Sequence, residues 1–245
     1  MFGFCTRFAL SLPDKRSMCM MGKAEDMNRE LQLTADGSHT LFIPQMNEHY
    51  HSVNGAVQES RHVFIDAGLH LMQNKRLTVL EIGFGTGLNA FLTLLDSEIS
   101  HQSIYYYSFE RYPLEMEMIG SLNYAERICP DKKNAFHALH RAAWDSPVRI
   151  TPYFTLHKIQ GDSNKSEIPS GLDLVYFDAF APDKQPEMWN REIFDKLFAG
   201  MNKGGVLTTY CAKGMVRRMM KEAGYTVERI PGPPGKREML RAIKL

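Results

Sequence analysis

The residues best able to do chemistry gather around one short run, Val79-Leu80-Glu81-Ile82-Gly83-Phe84-Gly85-Thr86-Gly87-Leu88-Asn89. An apolar strand ending in an acid, three glycines at alternate positions and then a helix form a ligand loop at the carboxyl edge of a sheet. The glycines let backbone approach a bound molecule closely. A dinucleotide site needs Gly-x-Gly-x-x-Gly, and its sixth position is Leu88 here, so that fingerprint fails. Further acids end later apolar runs. Glu110 closes residues 104–109 and can accept both hydroxyls of a ribose. Asp162 follows residues 154–159 and is placed to accept from an adenine amino group. For both, a solvated loop residue is the plain alternative. Asp178 follows Val175-Tyr176-Phe177 and opens Asp178-Ala179-Phe180-Ala181-Pro182. A carboxylate there can orient an amine by accepting its N–H bonds and then take its proton, or it can simply cap the next helix. Phe180 can stack on a flat substrate.

These groups need elements to hold them. Residues 31–34 and 40–43 alternate around an Asp36-Gly37 turn, which predicts a β-hairpin. Residues 57–74 read as a helix, with Phe64, Ala67 and Leu71 on one face. Strand 77–82, helix 87–96, strand 104–109 and helix 113–127 follow. Next come strands 154–159 and 172–177, helix 191–201, strand 206–210 and helix 212–223. Such alternation predicts parallel strands with crossover helices, hence a doubly wound α/β sheet. Strands 225–230 and 239–243 have only the Pro231-Gly232-Pro233-Pro234-Gly235 loop between them, so they must pair antiparallel.

The chain has 245 residues and a formal net charge of +1, which predicts no polyanion or membrane attraction from global charge. Residues 27–245 read as one domain. Residues 1–26 hold four of the fifteen methionines and two of the four cysteines without period, and are expected to be a poorly ordered extension or a misassigned start. Cys5, Cys19, Cys129 and Cys211 lie far apart, which excludes a zinc pattern and a disulfide framework and fits a reducing cytoplasm. No apolar stretch nears the roughly 18 residues that span a bilayer. Residues 213–245 carry Lys213, Arg217, Arg218, Lys221, Arg229, Lys236, Arg237, Arg241 and Lys244 against Glu222, Glu228 and Glu238. Such a surface suits phosphate contacts, with an ordinary solvated face as the alternative.

The Gly-x-Gly-x-Gly spacing with its preceding acid resembles S-adenosylmethionine-dependent methyltransferases. In these enzymes the loop, here Glu81, Gly83, Phe84, Gly85, Thr86, Gly87 and Asn89, meets the methionine part of the cofactor. The parallel sheet closed by an antiparallel hairpin resembles their class I, Rossmann-like fold, here with an N-terminal hairpin and helix added. Further stretches resemble one family more closely. They are Asp36-Gly37-Ser38, Tyr50-His51-Ser52, Gly55-Ala56, Glu59-Ser60, Val63-Phe64, Met188-Trp189, Gly204-Gly205, Val216-Arg217-Arg218, Ala223-Gly224-Tyr225 and Gly235-Lys236-Arg237-Glu238-Met239. With residues 81–89 and 177–182, they resemble the methyltransferase domain of the bacterial tRNA 5-methylaminomethyl-2-thiouridine biosynthesis proteins.

That resemblance implies methyl transfer to the primary amine of 5-aminomethyl-2-thiouridine at the tRNA wobble position, with Asp178 catalytic. Tyr50, His51, Ser52, Glu59 and Ser60 would line the substrate pocket, Tyr50 stacking on a flipped base. Lys236, Arg237 and Glu238 would gate it. In many bacteria this domain is fused to a flavin-dependent oxidase that prepares the amine. No second dinucleotide fingerprint occurs up to Leu245, so a separate flavin oxidase or other enzyme is expected to supply it. Two rival readings remain, a polyamine-type transferase and a non-catalytic tRNA-binding module.

Overall fold

A computed structural model describes residues 27–245, so the expectation for residues 1–26 lies outside the described residues. The chain opens with three antiparallel strands, β1 (Glu30–Leu33), β2 (His39–Ile43) and β3 (Glu48–His49). The third, two residues long, is too short to carry a sequence signal. Helix α1 (Ala56–Ser60) then widens into a π-helical turn over Arg61–Asp66 and ends in a 3-10 turn at Leu69–Leu71. The expected helix 57–74 is therefore irregular and short. Gly68 stands between the π-helical and 3-10 turns, where a larger residue does not fit, because a Cβ there would lie 2.6 Å from the Phe64 carbonyl oxygen.

The main sheet is built from β4 (Arg76–Ile82), helix α2 (Leu88–Ser100) and β5 (Ser103–Glu110), as predicted to within a few residues. The single helix expected over 113–127 is two, α3 (Met116–Ser121) and α4 (Tyr124–Ile128). Asn123 explains the break. Its amide donates to the Gly37 carbonyl at 3.0 Å and accepts from the His39 N–H at 2.8 Å, tying this corner to the N-terminal sheet. Helix α5 (Lys133–Arg141) and strand β6 (Ser146–Thr151) follow, both unforeseen. After them come β7 (Phe154–Gln160), β8 (Leu172–Phe177), α6 (Arg191–Gly200), β9 (Met201–Thr209), α7 (Gly214–Glu222), β10 (Thr226–Pro231) and β11 (Glu238–Ile243).

The eight strands run in the order β10-β11-β9-β8-β4-β5-β7-β6. β4, β5, β7, β8 and β9 pair in parallel, while β10–β11, β11–β9 and β6–β7 are antiparallel. Side chains alternate across this sheet, so each strand feeds two cores. Val79, Tyr106, Leu156, Leu174 and Tyr176 pack under α2, α5 and the N-terminal segment. Leu80, Phe109, Val175, Phe177 and Leu207 pack under α6 and α7. The order reverses at β4, whose two neighbours lead the chain in opposite directions, and there the carboxyl ends of the strands leave a crevice. Among the described residues, no helix is long and apolar enough to cross a membrane.

Candidate active site

The crevice holds a cavity of about 420 Å³, lined from the ends of β4, β5 and β8 and from residues 48–53 of the N-terminal segment. Its floor is the glycine loop. Gly83 has φ +95°, and a Cβ there would sit 2.8 Å from the Asp178 carbonyl oxygen, so two strand ends approach as only glycine permits. The N–H groups of Gly83 and Phe84 both donate to the Phe109 carbonyl, at 3.0 and 3.1 Å. Gly85 donates to Glu110 Oε2 at 2.9 Å, and Tyr112 donates its N–H to Oε1 at 2.6 Å. Glu110 is thus fixed by two backbone bonds, one to each oxygen, and lines the cavity with acceptor capacity left for a pair of hydroxyls. Asp162 lies on the same wall, accepting from the Asn164 N–H at 3.0 Å and from Arg111 at 3.5 Å.

Asp178 stands at the end of β8 and faces this space. Its Oδ2 accepts from the Asn89 amide at 2.8 Å. Burial is the main influence on its carboxyl and, helped by the Glu59 charge, pushes the pKa from 3.8 up to about 7, while Asn89 and Lys236 act the other way. The loop after it is tied down at two carbonyls. Trp189 donates its ring N–H to the Phe180 carbonyl at 2.7 Å, and the Tyr210 hydroxyl donates to the Ala179 carbonyl at 2.9 Å. Trp189 is thereby an anchor, packed edge-on to Phe177 at 4.9 Å.

The N-terminal segment roofs the cavity. The Tyr50 ring meets Phe180 edge-on, with centroids 5.1 Å apart, and its hydroxyl accepts from Arg29 at 3.1 Å. His51 lines the cavity, but its Nε2 is engaged with Thr86 Oγ1 at 2.7 Å. Burial lowers its pKa from 6.5 to about 4, so near neutral pH it is an uncharged clasp on the glycine loop. Glu59 accepts from the Ser52 N–H at 2.8 Å and from Lys236 Nζ at 2.6 Å. The Lys236 ammonium also lies 3.9 Å from the Tyr210 ring centroid.

The cavity brings together Gly83, Phe84, Gly85, Thr86, Asn89, Glu110, Asp162 and Asp178 with Tyr50, His51, Ser52, Glu59, Phe180 and Lys236. Five expected residues stand outside it. Glu81 and Ser60 are 0% exposed and have no surface to offer a ligand. Gly87 faces away, toward His140. Glu238 pairs with Arg229, and Arg237 is exposed outside the lining. Glu48, Arg111, Tyr112, Gln185 and Tyr210 line the cavity without having been singled out. Only adjacency to Glu110 marks Arg111 and Tyr112 in the sequence; the others reach the site through tertiary packing. Five lining carboxylates (Glu48, Glu59, Glu110, Asp162, Asp178) face two cationic side chains, Arg111 and Lys236, each paired with one of them. The field therefore favours a cationic ligand.

The basic charge of residues 213–245 is largely consumed internally. Lys213 pairs with Asp183, Arg229 with Glu238 and Arg241 with Glu228, while Lys244 donates to the Phe198 and Met201 carbonyls. Among the described residues, Arg217, Arg218, Lys221 and Arg237 form no such ion pair.

A mostly parallel doubly wound sheet with a terminal hairpin, a Gly-x-Gly-x-Gly loop at its switch point and a strand-end acid beside it make up the class I, Rossmann-like fold of S-adenosylmethionine-dependent methyltransferases. A family profile described as S-adenosyl-L-methionine-dependent methyltransferase matches residues 145–245. The chain is similar to the tRNA 5-methylaminomethyl-2-thiouridine biosynthesis bifunctional protein MnmC of Cupriavidus necator, 31% identical over 84% of this chain and 33% of that protein. The MnmC protein of Magnetococcus marinus is 30% identical over 87% of this chain and 33% of its own length. The chain spans about a third of the length of the curated relatives it matches. Among solved structures, MnmC2 from Aquifex aeolicus superposes with a TM-score of 0.73 at 25% identity, covering 90% of this chain and 72% of that one.

Proposed function

We propose that the chain transfers a methyl group from S-adenosylmethionine to the primary amine of 5-aminomethyl-2-thiouridine at the tRNA wobble position. The observation that carries this reading is Asp178, a carboxylate with a pKa of about 7 in the same cavity as the glycine loop and Glu110. The names of the relatives in Cupriavidus necator and Magnetococcus marinus point to the same nucleoside.

The cofactor, when bound, supplies an electrophilic methyl on a cationic sulfur. Gly83, Phe84, Gly85, Thr86 and Asn89 would hold its methionine part, Glu110 its ribose and Asp162 its adenine. Asp178 accepts an N–H of the substrate amine, aims the nitrogen lone pair and then takes the proton released as the new C–N bond forms. A base whose pKa sits near the working pH serves both tasks. Positioning supplies the larger share of the rate, since displacement at a methyl group needs the nucleophile in line. Tyr50 and Phe180, edge-to-face at the opening, offer a stacking surface for an unstacked uracil. The acidic lining suits both the sulfonium and an aminomethyl group arriving protonated, which gives that first proton to water before its lone pair can attack.

Arg217, Arg218, Lys221 and Arg237 are the candidates for phosphate contacts. A flavin-dependent oxidase, or another enzyme generating the aminomethyl group, would act before this one, in the cytoplasm with the tRNA. Neither rival reading, polyamine-type transferase or non-catalytic module, is favoured by an observation at the site. The test is transfer of a labelled methyl group to tRNA from cells lacking this enzyme, followed by nucleoside analysis. Label in 5-methylaminomethyl-2-thiouridine is expected; label in a different nucleoside, or none, overturns the assignment.

A further inference from the structure

We propose that Glu81 is a positioning residue acting as a neutral carboxylic acid: from behind the cavity wall it sets the Asn89 amide, which in turn holds Asp178. Its strand position resembles a cofactor-binding acid, but the structure gives it different surroundings. Glu81 is 0% exposed and lies outside the cavity lining. Its Oε2 accepts from Ser108 Oγ at 2.6 Å, and its Oε1 has no partner. The polar and titratable groups around it are Tyr106 and Ser108 from β5, Tyr176 and Asp178 from β8, and Asn89 from α2. None is a cation, and among the described residues Glu81 forms no ion pair.

A buried carboxyl without a cation takes up a proton, because the charged form loses its hydration with nothing to replace it. Burial accordingly raises its pKa well above the ordinary carboxylate value, and the charge of Asp178 adds to the effect. The neighbouring oxygens lead to the same protonation state independently. Tyr106 OH and Asn89 Oδ1 are also buried without partners; the phenol carries a hydrogen of its own, but Asn89 Oδ1 and an ionised Glu81 Oε1 are both acceptors with no donor assigned to them. A proton on Glu81 supplies the missing donor. An ionised Glu81 would instead set two carboxylates on either side of one amide and couple their titrations. With Glu81 neutral, Asp178 titrates without a second charge behind the Asn89 amide, and that amide keeps its N–H toward the base.

The inference rests on the methyl-transfer reading for its consequence, though not for the protonation state itself. Glu81→Gln keeps a neutral group with a donor; Glu81→Leu keeps the volume and removes both oxygens. In wild-type minus Glu81→Gln infrared difference spectra near neutral pH, the carbonyl stretch of a protonated carboxylic acid is expected. Calorimetric affinity of Glu81→Gln for S-adenosylmethionine should stay within about twofold, and its pH–rate limb should match wild type. Glu81→Leu should displace that limb and lower the rate by about tenfold, so that Gln rescues what Leu loses. Absence of the infrared band, or a tenfold or larger loss of cofactor affinity in Glu81→Gln, the mark of an anionic ligand residue, would overturn the proposal. Should the wild-type protein methylate no tRNA, the infrared and calorimetric measurements still decide it.

Discussion

Replacing Asp178 by Asn should make the protein more stable and nearly inactive, and the size of both effects follows from one carboxyl group. In the unfolded chain this group has the ordinary value of 3.8, and in the folded protein burial raises it to about 7. Below pH 4 both states are protonated and the group is neutral toward folding. As pH rises, the unfolded state ionises first, so the stability present at low pH is lost progressively until the folded carboxyl also ionises near pH 7. At about 1.4 kcal/mol per pH unit, the full penalty reaches about 4 kcal/mol. An Asn side chain cannot ionise and can still accept from the Asn89 amide through its own carbonyl. The variant should therefore melt higher by up to about 10 °C at about pH 8, and by much less at about pH 5. Scanning calorimetry at the two pH values reads this directly. Single-turnover methyl transfer with saturating cofactor should fall by about 10²–10⁴, the usual contribution of a positioned base, while calorimetric cofactor affinity changes little. A variant that is equally or less stable at the higher pH refutes the burial argument. Undiminished turnover removes Asp178 from the chemistry.

Glu110→Gln weakens the charge-assisted acceptor for the ribose and loosens Gly85, so titration calorimetry should show roughly 10–100-fold lower affinity for S-adenosylmethionine. Gly83→Ala places a methyl 2.8 Å from the Asp178 carbonyl at φ +95° and should cost about 1–3 kcal/mol in denaturant unfolding; unchanged stability would show that the loop relaxes freely. Removing Lys236 and Glu59 singly and together should give a coupling energy of about 1–3 kcal/mol, since Glu59 is only 7% exposed; strict additivity would make the contact incidental. Arg237→Ala should lower the slope of log tRNA affinity against log salt by about one, and an unchanged slope would return it to an ordinary solvated side chain.

The strands and acids at the centre of this site were legible because they follow from local rules. Buried parallel strands are continuous apolar runs, and 172–177 coincides with β8 as built. Glu110 and Asp178 mark strand ends, where chemistry-bearing residues of such sheets lie. Less legible was whatever depends on distant partners. The break at Asn123 exists because its side chain serves backbone 86 residues away in Gly37, which no helical period records. β6 alternates exposed and half-buried residues on a sheet edge, which weakens its apolar signal, and α5 is amphipathic but only nine residues long, its buried face carried by Phe136 and Leu139. Glu81 shows the limit most clearly. Its position matched a binding acid, yet exposure depends on how Ser108 and Tyr106 of the neighbouring strand close over it. Lys236 and Arg237 are adjacent basic residues in sequence, but one turns in to Glu59 and the other stays outside.

The pairing of Lys236 with Glu59 also has a temporal side. It joins positions 177 residues apart, and His62 reaches the Pro231 carbonyl at 2.8 Å across a similar span. Contacts of such separation close long loops at an entropic cost and cannot form before both partners have been made. During synthesis the sheet strands β4, β5 and β8 leave the ribosome well before the segment that carries Lys236. A nascent chain can thus assemble the glycine loop, Glu110 and Asp178 while the roof over them is still unlatched. The pocket becomes complete only when the last strands have joined the sheet, which makes ligand retention a report on the integrity of the whole chain.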